Sequence, residues 1–81
     1  MNKTEIQSIV NEFLIDEFEI EEEVISEDAH LINDIGLESL DLVDIVVIIE
    51  KEFGFKVQRE DMKDIKTLGD LYSYIETNSA K

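Results

Sequence analysis

The run from Leu40 to Phe53 constrains the fold more than any other part of the chain. It contains Val43, Ile45, Val46, Val47, Ile48 and Ile49, and β-branched residues favour a strand. Its length favours a helix, because strands rarely reach fourteen residues. Glu50-Lys51-Glu52 extends the run with good helix formers, and Gly54 fits the position just past a helix end. The run therefore predicts a helix over 39–53. On that helix Val43, Val46, Ile49 and Phe53 point one way. Asp41, Asp44, Ile48 and Lys51 point another, with Val47 beside them. The second face mixes acid with aliphatic side chains, a surface suited to protein contact.

Two further amphipathic segments flank it. Ile6, Ile9, Val10, Phe13 and Leu14 form one buried stripe of a helix over 3–18, with Thr4 and Gln7 as a capping box. Leu68, Leu71, Tyr72 and Ile75 form the stripe of a helix over 67–77, which Thr67 and Asp70 open. Residues 60–65 predict one or two helical turns, with Met62 and Ile65 facing inward. Phe55-Lys56-Val57 reads as an extended link. The segment 19–38 carries apolar residues throughout: Ile20, Val24, Ile25, Leu31, Ile32, Ile35 and Leu37. It reads as an ordered crossover loop pinned to the core, with room for a short helical turn. The expected fold is all-α: a small bundle of three main helices and one short helix, with a long loop after the first. At 81 residues, the chain predicts one domain spanning 1–81.

The charge is lopsided. Net charge is −14; residues 1–50 hold fifteen acids and one lysine, and residues 51–81 hold six acids and six bases. Such a field repels nucleic acid and anionic membrane and draws basic protein surfaces. No apolar stretch reaches the roughly 20 residues of a membrane span, and the start runs straight into the first amphipathic pattern rather than a signal peptide. The chain has no cysteine, which excludes disulfides and fits a reducing cytoplasm. Most catalytic and metal chemistries lack their residues. His30 is the single histidine, expected as a solvent-facing loop residue. No G-x-S-x-G elbow surrounds Ser39, and no segment supplies a calcium-binding loop. No catalytic or metal-ligating set is expected.

Ser39 stands out in Ile35-Gly36-Leu37-Glu38-Ser39-Leu40-Asp41. It opens the long helix with acids on either side and no base nearby. Two readings are open. It is an ordinary helix N-cap, or it is an attachment point. A phosphodiester there would lie in the favourable field of a helix N-terminus.

The segment Glu38-Ser39-Leu40-Asp41-Leu42-Val43-Asp44-Ile45-Val46, followed by Ile49-Glu50-Lys51-Glu52-Phe53, resembles the acyl carrier protein family. That family's signature is D-S-L at the start of the second helix, then D-x-V-E-L-V. The resemblance covers the whole chain, including the loop ending Asp34-Ile35-Gly36-Leu37 and the Thr67 start of the last helix. It implies that Ser39 carries 4′-phosphopantetheine, transferred from coenzyme A by a phosphopantetheinyl transferase. It implies a cytoplasmic, monomeric, non-catalytic carrier. Acyl groups held as thioesters would be delivered to fatty-acid or related polyketide-like enzymes through basic docking patches. By the same resemblance Glu38, Asp41 and Asp44 are acidic recognition positions, and Val47 and Ile48 apolar contact positions. Glu38 replaces the family's Asp, and Lys51 stands where the family is often acidic. The alternative reading is an unmodified acidic adaptor that binds a basic partner through the Asp41, Asp44, Val47 and Ile48 face.

Overall fold

The computed structural model describes residues 2–79. Among them are four α-helices and one 3-10 turn: α1 (Lys3–Phe18), the turn Glu22–Val24, α2 (Ser39–Phe53), α3 (Arg59–Met62) and α4 (Leu68–Ser79). The chain is a small bundle of three main helices and one short helix. α4 packs against both α1 and α2. Its stripe Leu68, Leu71, Tyr72 and Ile75 is buried, facing Ile6, Val10, Phe13 and Leu14 of α1 and Ile45 and Ile49 of α2 within one core. Fully burying a side chain of this kind contributes about 1.5–3 kcal/mol.

Helix ends follow local chemistry, not always that expected. Asn2 caps α1, its side chain accepting the Glu5 N–H at 2.9 Å. The expected Thr4–Gln7 box does not form. Asn2 takes the cap two residues earlier, and the Gln7 amide donates instead to Glu27 at 3.0 Å. α1 stops at Glu19, a non-glycine residue with φ 55°. Gly54 ends α2 at φ 74°, its N–H donating to the Glu50 carbonyl. The Thr67–Asp70 box opens α4. The Thr67 hydroxyl accepts the Asp70 N–H, and the Asp70 carboxylate accepts the N–H groups of Thr67 and Lys66, each at 3.2 Å. Those backbone bonds hold the Asp70 carboxyl below its ordinary pKa.

The short helix expected over 60–65 is only Arg59–Met62, and Ile65 packs inward from the turn beyond it. The last helix begins at Leu68 and runs to Ser79 rather than 77. Residues 80 and 81 lie outside the described part.

The crossover 19–38 is pinned through backbone bonds to the start of α4. Leu31 N–H donates to the Lys66 carbonyl at 2.9 Å, Leu68 N–H to Ala29 at 3.0 Å and Gly69 N–H to Glu27 at 2.9 Å. Gly69 allows this close approach: a Cβ would stand 3.0 Å from the Glu27 carbonyl oxygen, so the crossover backbone would have to give by a few tenths of an ångström. Ala29, Leu31, Ile35 and Leu37 are the buried anchors, while Val24 and Ile32 are exposed. His30 is not a free solvent-facing residue. Its Nδ1 accepts the N–H groups of Ile32 and Asn33, each at 3.2 Å, and its own N–H donates to the Asp34 carboxylate at 2.8 Å. The imidazole thus supplies the acceptor that the turn 31–34 would otherwise lack. This turn, followed by Gly36 at φ 90°, brings the chain to the start of α2.

Candidate functional site

α2 begins at Ser39 itself, so the serine is the first helical residue and Glu38 occupies the cap. The capping reading of Ser39 does not hold. The Asp41 carboxylate accepts the Glu38 N–H at 2.9 Å, while the Asp41 and Leu42 N–H groups go to the Glu38 carbonyl at 3.0 and 3.2 Å. Neither role uses the serine. Ser39 is exposed, and its hydroxyl makes no hydrogen bond among the described residues. It stands at the positive end of a fifteen-residue helix.

The surface following Ser39 is apolar and unpartnered. Leu40 is 75% exposed, Val47 59% and Val43 49%. Carboxylates surround them: Glu38 and Asp44 are exposed, and Asp41 is half-buried by its capping bond. Ile48 is half-buried. With Val47, Asp44, Glu17 and Phe18 it lines a shallow cleft of about 290 Å³ against the end of α1. The five expected recognition residues therefore lie on the first three turns of one helix, not all equally open.

The inward face of α2 differs from the expected one. Ile45 and Ile49 are its buried residues, Val46 and Phe53 are half-buried, and Val43 faces out. The apolar run surrounds the helix, so periodicity alone gives no preferred side. Val43 instead joins Leu42, Val46, Met62 and Lys63 around a groove of about 260 Å³ between α2 and α3. Sequence reasoning missed this groove. Its signal was the placement of Leu42 and Val43 three and four residues after Ser39, on one helix face.

The site provides an exposed, uncapped hydroxyl at a helix start, an apolar groove one turn away and an acid-rimmed apolar surface beside both. A phosphate linkage fits at this hydroxyl: no protein group competes for it, and the helix dipole favours the negative charge. Among the described residues no cluster suited to a metal ion occurs, and no helix is long and apolar enough to cross a membrane.

Comparison with known proteins agrees with this geometry. Residues 8–75 match the family model described as "Phosphopantetheine attachment site". The chain is 44% identical over 75 residues to an acyl carrier protein of Thermotoga maritima, covering 93% of each chain. It is 38% identical over 78 residues to one of Coprothermobacter proteolyticus, covering 96% of this chain and 95% of the other. It is 33% identical over 78 residues to one of Lactobacillus acidophilus, covering 96% and 98%. Fold, site and matches define a small helical carrier that bears a phosphopantetheine group. The chain belongs to the acyl carrier protein family. It is a non-catalytic carrier with 4′-phosphopantetheine as its prosthetic group, and acyl-processing enzymes act on what it holds.

Proposed function

We propose that Ser39 is the attachment residue and that the surface of α2 is the address its partner enzymes read. One observation carries the first part: Ser39 is exposed and its hydroxyl makes no hydrogen bond among the described residues, because Glu38 and Asp41 close the helix start without it. In the transfer reaction Ser39 Oγ bonds to the pantetheine-side phosphorus of coenzyme A. The phosphoanhydride bond breaks, adenosine bisphosphate leaves, and the hydroxyl proton passes to the transferase. Once bound, the arm supplies a terminal thiol that holds acyl groups as thioesters.

For recognition, Glu38, Asp41 and Asp44 supply the charge and Val47 and Ile48 the apolar contact. A basic patch on a transferase or acyl-processing enzyme is the complementary surface, and a field of −14 raises its rate of encounter. The chain acts as one domain and as a monomer in the cytoplasm; the lack of cysteine fits a reducing compartment.

The test is incubation with coenzyme A and a broad-specificity phosphopantetheinyl transferase, followed by intact mass. The wild-type protein gains one phosphopantetheine mass and Ser39→Ala gains none. No gain in the wild type, or an equal gain in Ser39→Ala, contradicts the assignment. The unmodified-adaptor reading predicts partner binding indifferent to Ser39→Ala, and nothing in the site favours it.

A further inference from the structure

The α2–α3 groove has four apolar walls and one cationic one. Leu42, Val43, Val46 and Met62 line it, and Lys63 closes its α3 side. Lys63 is exposed; a lysine so placed lays its aliphatic stem along the apolar wall and keeps its ammonium in water at the rim. Around it lies a chain of net charge −14, yet the ammonium forms no ion pair among the described residues. Glu60 and Asp64 are its neighbours in sequence, but neither pairs with it. Asp61 accepts the Tyr74 hydroxyl at 2.8 Å. The ion pair among the described residues is elsewhere, between Lys3 and Glu27.

We propose that Lys63 strengthens this groove's hold on acyl groups that end in a carboxylate and leaves its hold on plain alkyl chains of the same length unchanged. The proposal rests on the reading of Ser39 as the attachment residue. Leu42 and Val43 lie one turn from Ser39 on the same face, so an arm attached there, folded back on the helix, brings its acyl group within reach of the groove. An alkyl chain gains from the four apolar walls and is indifferent to Lys63. A chain with a terminal carboxylate gains the same walls but brings an anion to an acidic protein. Lys63 is the groove's own charge able to offset that. The pairing is a water-exposed one, so its effect is limited to about two- to fivefold and weakens as salt screens it. Lys63 also follows the last residue of α3, where a cation is favourable to the helix dipole. That structural role is independent of cargo, which makes the two separable.

The experiment loads the phosphopantetheinylated protein with octanoyl or with suberoyl, which has the same length and a terminal carboxyl. Intact mass first establishes loading in the wild type, Lys63→Gln and Lys63→Arg. The readouts are the rate of thioester cleavage by hydroxylamine and the methyl shifts of Leu42, Val43 and Val46. At low salt the suberoyl thioester is expected to be about two- to fivefold better protected in the wild type than in Lys63→Gln. Lys63→Arg keeps the protection, the octanoyl thioester behaves alike in all three, and high salt removes the difference. Equal suberoyl protection in wild type and Lys63→Gln overturns the role of Lys63. So does a loss that affects octanoyl as much. Failure to gain the arm at all overturns the attachment reading instead, and this proposal with it.

Discussion

The Asp41 carboxylate accepts the backbone N–H of Glu38 at 2.9 Å, closing the first turn of α2 from inside the helix. Ser39 lies between the two and takes no part. Family resemblance points to Asp41 as a recognition acid, and the structure adds a structural duty. The two separate by substitution. Asp41→Ala removes acceptor and charge and is expected to cost about 0.3–1.5 kcal/mol of stability. Asp41→Asn keeps an acceptor oxygen, so it retains most of the stability but loses the charge. Urea denaturation of the pair checks this; equal losses would show that the bond is not stabilising.

Asp44 is exposed and its carboxylate makes no hydrogen bond or ion pair among the described residues. Asp44→Lys reverses a rim charge and is expected to slow association with a phosphopantetheinyl transferase roughly tenfold at low salt, with little change in stability. The difference shrinks as ionic strength rises. Stopped-flow association at several salt concentrations measures it, and unchanged low-salt kinetics would remove Asp44 from the docking surface.

Glu19 ends α1 in the left-handed region at φ 55°, a conformation glycine adopts without the Cβ clash that other residues bear. Its N–H still donates to the Leu14 carbonyl, a bond that glycine preserves. Glu19→Gly is expected to stabilise the protein by about 0.5–1 kcal/mol, read from the urea midpoint at unchanged slope. A lower midpoint would mean that the Glu19 side chain contributes more than its backbone costs.

Tyr72 is buried, and its hydroxyl donates to Asn11. Burial first, then the nearby Glu27 charge, pushes its pKa from 10.0 up to about 12. A phenol whose folded pKa is raised contributes stability that is complete below the unfolded pKa and is lost as pH climbs through the folded one. The window is therefore pH 10 to 12. Tyr74 is shifted the same way, chiefly by burial and by its bond to Asp61. Tyr72→Phe is expected to lose about 0.5–1.5 kcal/mol at neutral pH from the missing bond and to show a shallower alkaline decline. Denaturant midpoints across that window test the sign; a stability rising with pH there would contradict it.

Both long early helices were legible in the sequence with their ends. α1 has a one-sided stripe, and α2 has a length no strand matches and a glycine stop. The inward side of α2 was not legible. With Val43, Val46 and Val47 as apolar as Ile45 and Ile49, only the position of α4 decides which residues are covered. The crossover's anchors were half legible for a related reason. Ala29, Leu31 and Leu68 are held by backbone bonds between distant segments, which leave no side-chain pattern. The same holds at the site. Ser39 stood out in the sequence through its neighbours. Its freedom depended on Glu38 taking the cap, a choice of geometry between adjacent residues that both can start a helix.

Carriage of an acyl group turns on the chemistry of one hydroxyl. The most direct measurement is fragmentation mass spectrometry of all peptides in a digest of the protein, after treatment with coenzyme A and a phosphopantetheinyl transferase. The expected result is a phosphopantetheine adduct on Ser39 with Ser26, Thr67 and Ser73 unmodified. An adduct on any other residue, or an unmodified Ser39 in a fully folded protein exposed to active transferase, would contradict it.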